Sequence, residues 1–274
     1  MPVSRSYLFV PGNRPERYAK ACAAGADEVI IDLEDAVPER EKDAARAALA
    51  AWVSVERRVL VRVNAADTRW FDDDLAMCGA AGIAGVMLPK VERADVIARV
   101  AERVGPDGRV VPLIETARGL WDALSIAQAP RVQRLAFGSI DFQVDLGIRG
   151  DADELLHFRS QLVLVSRLAN VQPPIDGVTT ALDNDAQLRT EALRARRQGF
   201  GGKLCIHPKQ VAVVNAAFAP TAEDLDWARR VLAAAAAAKG AAAALDGKMI
   251  DRPVILAAEE IVREAERASA SDAR

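Results

Sequence analysis

The chain has 274 residues, 51% of them hydrophobic and 27% charged, which is too apolar for a disordered tail and long enough to bury about 70% of its unfolded surface. Its 36 basic and 39 acidic residues give a net charge of −3, so the basic footprint of a nucleic-acid binder is missing. No apolar run reaches the length of a membrane span, and Pro2, Ser4, Arg5 and Ser6 do not read as a secretory leader. Cys22, Cys78 and Cys205 are odd in number and widely spaced in apolar surroundings. They are expected to be reduced, buried thiols of a cytoplasmic protein.

Eight short apolar runs succeed one another: YLFV at 7–10, VIIDL at 29–33, VLVRV at 59–63, GVML at 85–88, VVPLI at 110–114, LAFG at 135–138, IDGV at 175–178 and KLCI at 203–206. Their β-branched content without sustained polar alternation predicts parallel strands covered on both faces. Helical segments fill the gaps. Pro15 suits the first turn of a helix that Gly25 stops, and Pro38 begins a longer one with its acids early. Thr116 and Asp153 are expected caps, and the wide gap between the sixth and seventh runs implies an insertion. The rhythm predicts an α/β fold, a (β/α)8 TIM barrel over residues 1–220. Residues 221–274 form a C-terminal helical extension or arm: a helix capped by Thr221, an alanine-rich tract that Gly240 breaks, a turn at 245–254, and a last helix.

In such a barrel, chemistry collects where strands end. Glu115 closes the fifth run and Asp141 follows the sixth, so two carboxylates from neighbouring strands can share a Mg²⁺ ion with waters. Alternatively, Glu115 caps a helix and Asp141 orders a loop. Only His157 and His207 are present, without HExxH or a thiolate pair, which argues against zinc. Arg62 is a cation inside an apolar strand and needs an anionic partner, a substrate carboxylate or an internal acid such as Glu34. Asp32, Glu34 and Asp35 crowd one strand end and repel unless a cation compensates, which makes Glu34 and Asp35 candidate supports for metal-bound water. VPGNRPER offers Arg14 and Arg17, with Lys20 a turn later, as a phosphate-binding cluster, although without P-loop or dinucleotide spacing. Solvated surface charge is the plain alternative. His207 reads equally as a substrate contact or a loop histidine.

SYLFVPGNRPER, EVIIDLEDAVPEREK, VRVNAADTRW, GVMLPKVE, VPLIETARGL, FGSIDFQVDLG and GKLCIHPKQV, in this order, resemble the citrate lyase beta-subunit-like group of the HpcH/HpaI aldolases, with the malyl-CoA and citramalyl-CoA lyases. The resemblance spans about residues 4–265. It implies a Mg²⁺-dependent barrel, homotrimeric or a dimer of trimers, acting on acyl-CoA thioesters and 2-keto acids, with no nucleic-acid or membrane partner. Glu115 and Asp141 match the metal ligands of that group, and Arg62 matches the arginine at the thioester and keto-acid oxygens. Glu34 and Asp35 match groups that hold metal-bound water. Asp251 in LDGKMIDRP matches an acid/base that reaches the adjacent subunit's active site. No covalent lysine is required, so Lys90 reads as a structural or substrate contact.

The expected activity is cleavage or formation of malyl-CoA or citramalyl-CoA, with acetyl-CoA and glyoxylate or pyruvate as the fragments. The alternatives are a citrate lyase beta subunit acting on a carrier-protein thioester, malate synthase-like or thioesterase activity, a class II aldolase on free 2-keto acids, and a non-catalytic metal-binding barrel.

Overall fold

The computed structural model describes residues 3–238 and 243–272. They fall into two compact units, residues 3–218 and a unit that begins at Ala219.

The first unit is a closed barrel of eight parallel strands in sequential order: β1 (Ser6–Pro11), β2 (Glu28–Asp32), β3 (Val59–Arg62), β4 (Ile83–Leu88), β5 (Arg109–Ile114), β6 (Ala136–Phe137), β7 (Ile175–Asp176) and β8 (Gly202–Cys205). Closure is made by β8 on β1, with Tyr7 beside Leu204. All eight apolar runs become strands, although β6 and β7 are regular over only two residues each. The alternation of side chains sorts the strands into two cores. Tyr7, Ile30, Leu60, Met87, Val111, Leu113, Ala136, Ile175 and Leu204 fill the barrel, while Leu8, Val29, Ile31, Val61, Val86, Val110 and Cys205 face the helices.

Local signals are read as expected in most places. Pro15–Arg17 is a 3-10 turn leading into the helix Tyr18–Cys22, and Gly25 follows at φ 78°. Thr116 Oγ1 accepts from Gly119 N and caps the helix Ala117–Trp121. The long gap after β6 holds the helices Ser139–Leu146 and Leu156–Leu168. Asp153 does not cap the second of these; it lies inside a 3-10 turn, Asp153–Leu155, with no side-chain cap bond. Cys78 and Cys205 are buried free thiols, pushed up to about 12 by burial, whereas Cys22 is exposed on a short surface helix, against expectation.

The second unit packs two helices, Ala222–Ala237 and Arg252–Asp272, around Ala228, Val231, Ile250 and Ala258. Thr221 and Asp224 form a reciprocal capping box at the first helix. An antiparallel hairpin, Ala243–Leu245 with Lys248–Ile250, turns at Asp246 and Gly247, both with positive φ. The expected break at Gly240 lies outside the described residues. No helix among the described residues is long and apolar enough to cross a membrane.

Candidate active site

The side chains at the barrel mouth follow from strand parity. Asp32 lies two residues beyond Ile30, Arg62 two beyond Leu60, and Glu115 two beyond Leu113, so each points inward where its strand runs out. A cavity of about 370 Å³ opens there, with Phe9, Leu113, Phe137, Val178 and Leu204 as apolar lining. Its polar lining is Asp32, Asp35, Arg62, Glu115, Ser139 and Asp141.

Arg62 is preset. Its Nε and Nη2 donate to the two oxygens of Asp32, each at 2.7 Å, and its guanidinium lies 4.7 Å over the Phe9 ring. Nη1 stands 3.0 Å from Glu34 Oε2 and 3.5 Å from Asp35 Oδ2. Burial works to lower the guanidinium's pKa, but Asp32, Glu34 and Asp35 together outweigh it and the net direction is upward. Asp32 is therefore the principal partner of Arg62, with Glu34 beside it. The same carboxylate accepts from Glu34 N and Ala36 N, which fixes the loop after β2. Lys42 Nζ, buried on the helix Lys42–Trp52, donates to the Leu33 and Glu34 carbonyls and pins that loop from below.

Glu115 is 2% exposed, and burial pushes its carboxyl up to about 8, helped by the nearby Glu34 and Asp141 charges. Its Oε1 accepts from Lys90 N at 2.6 Å. A side chain at Gly138 would meet Glu115 Cβ and Oε2 at 2.5 Å, so only glycine admits the carboxylate here. Asp141 sits in the first turn of Ser139–Leu146, on the cavity wall. Glu34 is buried off that wall, raised by burial against the pull of Arg62, and salt-bridged to Lys90 Nζ at 2.8 Å. Two buried oxygens here, Glu34 Oε2 and Ser139 Oγ, make no hydrogen bond among the described residues.

The structure thus brings together Arg62, Glu34, Asp35, Glu115 and Asp141. Arg14 and Lys20 lie outside the cavity on the exposed turn and helix after β1, Arg14 bonded to Glu16. Asp251 belongs to the second unit; it is exposed, and its Oδ1 accepts from Val254 N at the start of the last helix. From the sequence Lys90 reads as a structural or substrate contact, while Ser139 stands at a run end without a role; a buried serine without a partner shows only in three dimensions.

Among the described residues no group of three or more His, Cys, Asp or Glu is arranged to hold a metal. The donor set is nevertheless a fit for Mg²⁺, which takes one or two carboxylates and keeps its waters. Glu115 and Asp141 supply hard oxygens only, and a cation would offset what pushes Glu115 up, first its burial and then the Glu34 and Asp141 charges.

Comparison with known proteins gives the family of the chain. Residues 5–208 match the family model of HpcH/HpaI aldolase/citrate lyase. A citrate lyase subunit beta-like protein of Deinococcus radiodurans is 38% identical, covering 94% of this chain and 96% of that protein. A (3S)-malyl-CoA thioesterase of Cereibacter sphaeroides is 35% identical, covering 97% and 96%. The crystal structure of protein CitE from Mycobacterium tuberculosis in complex with magnesium, acetoacetate and coenzyme A superposes with a TM-score of 0.86 at 39% identity, covering 96% of this chain and 98% of that one.

Proposed function

The chain belongs to the HpcH/HpaI aldolase/citrate lyase family, and we propose on that footing that it is a Mg²⁺-dependent carbon–carbon lyase for 3-hydroxyacyl-CoA thioesters. Malyl-CoA and citramalyl-CoA are the favoured substrates, divided into acetyl-CoA and glyoxylate or pyruvate. One observation carries the reading: an acid pair with surplus negative charge, Glu115 and Asp141, shares a cavity with a guanidinium already locked in orientation by Asp32. Such a cavity supports a keto acid beside an enolate.

When bound by Glu115 and Asp141, Mg²⁺ supplies Lewis acidity to the oxygens of the keto acid. The protein's own part is charge placement and proton movement. In the cleavage direction the electrons of the broken bond run to the thioester oxygen, where Arg62 takes up the charge without having to reorient. Asp251, in this proposal from a neighbouring subunit of a trimer, accepts the proton that the 3-hydroxyl loses as the keto carbonyl forms and hands it to the new acetyl carbon, and the same proton runs in reverse in the condensation direction. Glu34 and Asp35 hold the Arg62 Nη1 side of the site. Arg14 and Lys20 are exposed and meet the phosphates of the CoA arm, Arg14 giving up its bond to Glu16 to do so.

The likeness to the (3S)-malyl-CoA thioesterase favours hydrolysis of the same thioesters as a second reading. A panel of such thioesters incubated with and without Mg²⁺ separates the two. Release of a 2-keto acid with acetyl-CoA, dependent on Mg²⁺, is expected. Free CoA with a hydroxy diacid supports the thioesterase. A folded protein that binds the thioesters and yields neither overturns both.

A further inference from the structure

Lys90 follows β4 with φ 51°, in the left-handed region where a lysine is less comfortable than a glycine. Strain at such a position asks what the residue does. Two bonds leave it for two different carboxylates: its N–H donates to Glu115 Oε1 at 2.6 Å, and its Nζ to Glu34 Oε1 at 2.8 Å. Lys90 itself does not line the cavity. Beyond the N–H bond, Glu115 is confined on its Oε2 side by the bare Cα of Gly138. Beyond the ammonium, Glu34 keeps Oε2 buried without a hydrogen bond, 3.0 Å from Arg62 Nη1.

One residue therefore holds the same oxygen, Oε1, on two acids, and leaves Oε2 of Glu34 to Arg62 and Oε2 of Glu115 on the Gly138 side. We propose that Lys90 is a positioning residue of the site: its left-handed backbone aims an N–H that sets the Glu115 carboxylate for a divalent cation, and its ammonium sets Glu34 against Arg62. The two halves are separable, because the first needs only the backbone and the second only the side chain. This deepens the lyase reading and rests on it for the catalytic consequence alone.

The test compares Lys90→Gly, Lys90→Met and Lys90→Val. Glycine and methionine keep the N–H, whereas a β-branched residue at positive φ is an outlier that turns it away. Calorimetric titration of metal-free protein with Mg²⁺ is expected to give affinities within about threefold of wild type for the glycine and methionine variants, and weaker by about tenfold or more for valine. In the thioester assay both glycine and methionine are expected to lower kcat by about tenfold with KM little changed, the mark of an orienting role. Valine binding Mg²⁺ like wild type, or glycine losing as much as valine, overturns the backbone half. Full kcat in the methionine variant overturns the side-chain half.

Should the valine variant not fold, hydrogen exchange decides the backbone half. The amide of residue 90 is expected to exchange at least about tenfold faster in Glu115→Ala than in wild type, and equal rates overturn it. If no thioester is turned over by wild type, the functional reading fails while the exchange measurement still judges Lys90.

Discussion

Two charge networks sit in the same barrel and are built on opposite principles. At the mouth, Asp32, Glu34, Glu115 and Asp141 outnumber Arg62 and Lys90, oxygens are left without hydrogen bonds, and Glu115 is pushed up to about 8. On the outer face of β7 and β8, Asp176 lies between Lys203 Nζ at 2.9 Å and Arg159 Nε at 2.8 Å, all three wholly buried. Arg159 and Arg194 continue to Asp151. There Asp176 is held down to about 2: burial alone would raise it, but Lys203 and Arg159 prevail. The closed network is cement. The open one, unbalanced and facing a cavity, is arranged to receive something. Burial of charge is thus not itself a sign of function; the imbalance is.

That contrast is best broken by removing one charge from each network. Lys203→Met leaves Asp176 short of a partner in the apolar layer and is expected to destabilise the fold by about 3–5 kcal/mol in chemical denaturation. Glu115→Gln should do the reverse in metal-free protein, raising the melting temperature at pH 9 by roughly 5 °C while abolishing the stabilisation that Mg²⁺ confers on wild type. A fall in melting temperature for both variants would erase the distinction.

The pH dependence sharpens it, since the two acids shift in opposite directions. Glu115 binds its proton more tightly folded than unfolded, so metal-free stability should decline as pH rises from near 4.5 towards 8. Glu115→Gln should flatten that decline in thermal melts. Asp176 holds its proton less tightly folded, so its contribution is complete above about 3.8 and is lost as pH falls towards 2. The smallest effect belongs to neither network. Thr221→Ala removes half of a capping box and should cost about 1 kcal/mol, seen as faster hydrogen exchange in the helix Ala222–Ala237 alone.

The difference between the networks also explains what could be read from the chain. The eight strands were legible because each is a short, mostly apolar run, and the mouth residues because parity carries Asp32, Arg62 and Glu115 inward just as the run stops. Arg62 stood out as a cation within such a run. Lys203 and Asp176 occupy equivalent settings in KLCI and IDGV, yet their pairing with Arg159 and Asp151 depends on a helix folding back across the strands. No spacing records that. Asp153 failed as a cap because its residue type suits the role, but the chain enters that helix through a 3-10 turn instead. The reach of Lys90 to two carboxylates likewise depends on a backbone angle that composition does not encode.

The most direct test of the central claim is a calorimetric titration of metal-free protein with Mg²⁺ in the presence of pyruvate, with Glu115→Gln and Asp141→Asn alongside. One ion per chain is expected in the wild type and none in either variant at the same concentrations, with folding intact. Uptake of Mg²⁺ by both variants equal to that of the wild type would contradict it.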